Sequence, residues 1–156
     1  DAVVPSPETI DYPGLLDLPR ARLRVYKPET SIAEKTEAMV RLGLANSRMK
    51  DFFDVRSLAM NRPFDGETLR LAIRSTFERR QTPLPSDLPL ALTDEFATDV
   101  QKGRQWDAFV GRIRGAARPD FSEVVGGLRA FLWPALEAAA MSEPWHHEWE
   151  PGGPWK

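Results

Sequence analysis

Cysteine does not occur among the 156 residues, so this sequence can hold no disulfide framework, thiolate nucleophile or cysteine-based zinc site. It also has no apolar run approaching the roughly 20 residues that a membrane-spanning helix needs. The opening residues, with Asp1, Pro5 and Glu8, lack the basic and apolar regions of a secretory signal. A cytoplasmic protein is expected. An excess of one charge is missing too: 21 basic against 23 acidic side chains leave −2, which argues against a general nucleic-acid coat protein. There is no Walker loop, dinucleotide fingerprint or Gly-x-Ser-x-Gly elbow. No internal repeat or low-complexity run interrupts the chain.

The sequence does contain enough apolar residues, 42%, for one domain with a real core. Its 14 prolines and 10 glycines gather near residues 4–14, 82–89 and 144–154, leaving the stretches between them free to be helical. Residues 1–19 read as an irregular entry, with a turn signal at Tyr12-Pro13-Gly14 and an apolar patch at Leu15, Leu16 and Leu18. Residues 22–26 alternate basic and apolar or aromatic side chains, the period of a half-buried strand. Thr30 or Ser31, with Glu34 within reach of a capping box, predicts a helix start. Helices are predicted over residues 31–44, 48–60, 65–80, 94–114 and 122–141, the last with a kink at Pro134, and a proline-rich connector over residues 81–92. The fold class is therefore α+β, mostly α, with one short strand and about five helices. Residues 1–30 form one segment with the strand, residues 31–141 a helical region and residues 142–156 a flexible tail.

Two charges stand where apolar residues are expected. At 100° per residue from Ile32, Lys35 falls at about 300°, between Met39 at about 340° and Leu42 at about 280°. From Arg48, Asp51 falls at about 300°, between Val55 at about 340° and Leu58 at about 280°. Each ion is costly to bury unpaired, so the two must face each other, a cleft or a ligand. Two readings follow: a salt bridge locking the helices together, or a cleft in which Lys35 meets phosphate and Asp51 does metal or proton work. Asp54 lies one turn beyond Asp51 and makes a carboxylate pair that can share a divalent cation, although alone it reads as an ordinary helix-surface acid.

The charge is also distributed in blocks. Residues 41–80 hold nine basic and five acidic side chains, and residues 101–118 hold five and one. If these segments pack side by side they form a phosphate-facing surface; otherwise they are solvated helix faces. His146 and His147, beside Glu148 and Glu150, are adjacent and do not share a helix face, which makes them poor metal ligands. Gly126-Gly127, inside a helical pattern, reads as close packing rather than a phosphate cradle.

The run Glu29-Thr30-Ser31-Ile32-Ala33-Glu34-Lys35-Thr36-Glu37-Ala38, followed by Arg48-Met49-Lys50-Asp51-Phe52-Phe53-Asp54, closely resembles the two later motifs of the AbiEii/AbiGii-type nucleotidyltransferase toxins. Tyr12-Pro13-Gly14-Leu15-Leu16-Asp17 before them and Phe131-Leu132-Trp133-Pro134 after them resemble that family's flanking segments. The resemblance runs to about Leu136, and both motifs land on the anomalous charges. It implies the carboxy-terminal part of a polymerase-β-like nucleotidyltransferase fold and a bacterial toxin–antitoxin role of the abortive-infection, phage-defence type. The activity it implies is transfer of a nucleotide from a nucleoside triphosphate to an acceptor, tRNA in some members, with Mg²⁺. Partners implied are a cognate antitoxin and RNA.

By the same resemblance Lys35 and Asp51 are the catalytic pair and Lys35, Arg48 and Lys50 bind the nucleotide, with Glu34 and Asp54 as secondary candidates. The family's metal-binding Gly-Ser motif and spaced aspartates do not occur here. The first residue is Asp rather than Met, so the expectation is a carboxy-terminal piece that is inactive alone and begins at the trailing edge of the catalytic domain. As parts of an open cleft, Lys35 and Asp51 would each tolerate neutralisation at less than about 1 kcal/mol. The competing expectation is a non-enzymatic helical remnant or antitoxin-binding module.

Overall fold

The computed structural model describes residues 8–11, 22–25, 27–115 and 118–156. Strand β2, Arg22–Val25, forms where the alternating pattern predicts it. Its antiparallel partner β1, Glu8–Asp11, lies in the segment read as irregular, with Glu8 opposite Val25 and Asp11 opposite Arg22. Tyr26, the turn signal at residues 12–14 and the apolar patch at residues 15–18 lie outside the described residues.

Helix α1, Pro28–Leu42, starts three residues before the predicted start at residue 31, with Pro28 in its first turn, where a missing N–H costs nothing. Thr30 and Ser31 are therefore inside the helix, and extended Lys27 precedes it. Gly43, at φ +52°, ends α1, and a 3-10 turn over Gly43–Ala45 leads to buried Asn46. The Asn46 carbonyl Oδ1 accepts the Arg48 N–H at 2.8 Å, an Asx turn that feeds α2, Met49–Asn61. Asp65 then caps α3, Gly66–Arg79, its carboxylate accepting the Thr68 N–H at 2.9 Å.

The single helix predicted over residues 94–114 is two. α4, Asp94–Thr98, stops at Asp99, whose backbone is extended and whose side chain accepts the Lys102 N–H to cap α5, Val100–Val110. Aspartate competes with the helix for backbone N–H groups, and here it wins. α6, Phe121–Ala139, is capped by Asp120 and continues through Pro134. Val124, Val125, Leu128, Phe131, Leu132, Ala135 and Leu136 along α6 are all buried, and α2, α3 and α4 pack around it, while α1 lies against α3. Phe52 of α2 stacks on Phe96 of α4 at 5.6 Å and meets Phe121 of α6 edge-on at 5.8 Å, which joins three helices through one aromatic cluster.

Residues 142–156, expected to be a flexible tail, pack against the helices. Strand β4, Glu148–Trp149, pairs antiparallel with β3, Phe64–Asp65. Trp149 is buried and donates its indole N–H to Ala59 O at 2.7 Å, and Trp155 donates to Phe131 O at 2.9 Å while stacking on the Phe131 ring. A proline- and glycine-rich segment is held because its tryptophans reach the core with their polar edges satisfied. Gly66 permits the close approach, since a Cβ there would stand 2.7 Å from His147 O and 2.8 Å from the Trp145 ring.

Candidate functional site

α1 and α2 meet where the apolar stripes of both helices are interrupted. Lys35 Nζ donates to Asp51 Oδ1 at 2.9 Å and lies 3.4 Å from Asp54 Oδ2. Lys50 donates to Asp54 Oδ2 at 2.6 Å, and that carboxylate holds the Lys50 ammonium above its ordinary value. Arg48 Nε is 2.9 Å from Asp51 Oδ2. This last contact is an ion pair rather than a hydrogen bond, because the buried oxygen receives no properly directed N–H. Three cations and two carboxylates thus form one network with a net charge of 3 − 2 = +1.

The expectation of two solvated residues lining an open cleft is corrected for Asp51, whose side chain is only 6% exposed against 20% for Lys35. The helix stripe that flagged Asp51 also carries it inward, so the carboxylate relies on Lys35 and Arg48 for its charge balance. Glu34 is half-buried, and its side chain makes no hydrogen bond or ion pair among the described residues. His147 packs its ring 5.1 Å from Trp145, and among the described residues no three acids or histidines converge as a metal site.

The two basic segments do pack together. An open groove of about 330 Å³ runs between the start of α2 and α5, lined by Arg48 and Lys50 on one side and Gln105, Phe109 and Arg112 on the other.

Buried charges other than Asp51 escaped the sequence reading. Lys102 of α5, 2% exposed, donates to Asn46 O at 2.7 Å and to Gln105 at 3.2 Å, with its ammonium 5.6 Å from the Phe96 ring centre. The stripe test would have found it: at 100° per residue Trp106 lies only about 40° and Ile113 about 20° from Lys102. Glu37 of α1 is fully buried and accepts hydrogen bonds from Arg41, Arg80 and Thr82. Burial pushes the Glu37 carboxyl up, but the bonds from Arg80, Thr82 and Arg41 outweigh it and leave it below its ordinary value. Its burial was not legible, because α1 is covered on more than one side.

The fold is that of a mostly helical α+β protein, with a knot of three cations and two carboxylates at a helix junction. Residues 1–139 match the family model described as nucleotidyl transferase AbiEii toxin, type IV toxin–antitoxin system. The chain belongs to that family of nucleotidyl transferase toxins, which implies an antitoxin partner. No curated protein and no solved structure matches the chain. No helix among the described residues is long and apolar enough to cross a membrane.

Proposed function

We propose that the α1–α2 charge network is the nucleotide-handling part of a transferase that moves a nucleotide from a nucleoside triphosphate to RNA, with tRNA as the acceptor. The observation that carries this reading is the meeting of Lys35, Arg48 and Lys50 over two carboxylates, with a net positive charge left for a phosphate. Lys35 is the phosphate contact. A triphosphate oxygen replaces Asp54, its longer partner at 3.4 Å, while Asp51 at 2.9 Å keeps the ammonium in place. Asp51 is thereby a positioning residue, since its oxygens already face Lys35 and Arg48. In the transfer the acceptor hydroxyl bonds to the α-phosphorus, the bond to the pyrophosphate breaks, and the hydroxyl proton leaves with solvent or base.

Mg²⁺ neutralises the triphosphate in such reactions. Asp51 and Asp54 do not fit as its cage, because Lys35, Arg48 and Lys50 already occupy them, and no step is routed through the ion. The family's ion-holding carboxylates do not occur in residues 1–156, so this chain alone is expected to bind nucleotide without transferring it. Titration with tripolyphosphate and the four nucleoside triphosphates should show binding that weakens about tenfold or more in Lys35→Ala, roughly one charge-assisted contact. Binding unaffected by Lys35→Ala would overturn the assignment, and radiolabel incorporation into tRNA that vanishes in Lys35→Ala would overturn the expected inactivity.

A further inference from the structure

The groove between α2 and α5 has a use that the nucleotide network does not exhaust. Arg48 and Lys50 belong to both, but Arg112, on the far wall, has no hydrogen bond or ion pair from its side chain among the described residues and is exposed. No acid lines the groove. The groove lining therefore carries three cations, Arg48, Lys50 and Arg112, in a chain whose net charge is −2. Gln105 adds an amide, and the half-buried Phe109 ring lines the same wall.

An open groove with cations on both walls and an aromatic side chain fits a single-stranded backbone, whose phosphates meet the cations while a base stacks on the ring. We infer that this groove seats the single-stranded end of the RNA acceptor, with Arg112 contacting a backbone phosphate and Phe109 offering a stacking surface. The inference rests on the transferase reading and locates its second substrate. Arg48, paired with Asp51 at one end and lining the groove at the other, connects the two sites.

The test measures binding of a fluorescent RNA hairpin with an unpaired 3′ strand to the 156-residue chain, across a range of salt concentrations. Wild-type binding should weaken with salt. Arg112→Ala should reduce the slope of log affinity against log salt by about 0.7, the loss of one single-strand phosphate contact. Arg112→Glu should weaken binding further, and both variants should bind tripolyphosphate within about twofold of wild type, as expected for a contact outside the nucleotide network. Arg112 is exposed, so circular dichroism should show both variants folded. RNA affinity unchanged in Arg112→Glu would overturn the proposal. So would an equal loss of tripolyphosphate, which would make the groove part of the nucleotide site, or equally tight Arg112-dependent binding of a poly-glutamate peptide, which would make it a seat for an acidic protein. Failure of tripolyphosphate to bind while RNA still binds through Arg112 would remove the nucleotide reading and leave the groove standing; the reverse would remove only the groove.

Discussion

At the scale of single residues, the Asp51 carboxylate decides whether the α1–α2 junction is only a lock. It is nearly buried, yet Lys35 keeps contact with water and has Asp54 as a second partner. The pair therefore falls between an exposed ion pair, worth about 0–1 kcal/mol, and a fully buried one, whose breakage costs roughly 3–5 kcal/mol. Asp51→Asn should destabilise the chain by about 2 kcal/mol, leaving Lys35 and Arg48 short of a counter-charge. Denaturant melts of Asp51→Asn, Lys35→Met and the double variant isolate the coupling. A loss under about 0.5 kcal/mol for Asp51→Asn would show that the junction is solvated after all.

At the scale of elements, the start of α2 is held from outside its own helix. Arg48 and Asp51 depend on the turn at Asn46, and that turn is fastened by Lys102 of α5 through Asn46 O. Lys102→Met keeps the apolar stem and removes the ammonium, so it should cost roughly 1–3 kcal/mol, the penalty of leaving a buried carbonyl unpaired. The loss should be local: amide exchange at Arg48, whose N–H is bonded to the Asn46 side chain, should accelerate more than exchange in α6. Uniform acceleration throughout the chain would mean that Lys102 supports global packing only.

At the scale of the whole molecule, the carboxy-terminal segment closes over α3 and α6 through Glu67. Its carboxylate accepts two hydrogen bonds from Arg70 and one from the Trp145 N–H. The Arg70 guanidinium first, then the Trp145 N–H, hold the Glu67 carboxyl down at about 2 against an ordinary 4.5. A value lowered by folding stabilises fully above pH 4.5 and stops doing so as pH falls from there toward 2. Below pH 4.5 the Trp149 indole N–H, bonded to Ala59 O, should lose exchange protection ahead of the α6 amides. Glu67→Gln should show weakened protection already at neutral pH and little further change over that acid range. A variant with an unaltered acid limb would place the pH sensitivity elsewhere.

Local signals in the sequence determined a good deal. Asp65 marks the start of α3, the alternation at residues 22–25 marks β2, and period-3.6 apolar runs mark the helices. The same periodicity exposed Lys35 and Asp51, because a charge on an apolar stripe is anomalous before its partner is known. Whether that partner is another side chain or a ligand is a question of distance between helices, and only the tertiary structure brings Lys35 to 2.9 Å from Asp51. The break at Asp99 turned on a side chain outcompeting the helix for one N–H, an energy difference too small to read from pattern. Glu37 is buried because α1 is covered on several sides, which its own sequence cannot disclose. The last fifteen residues resemble a tail in composition, but Trp149 and Trp155 find Ala59 O and Phe131 O only once α2 and α6 are assembled. Spacing along the chain determined which side chains share a face; the packing of the helices decided what each face meets, since burial and pairing depend on groups far apart in the sequence.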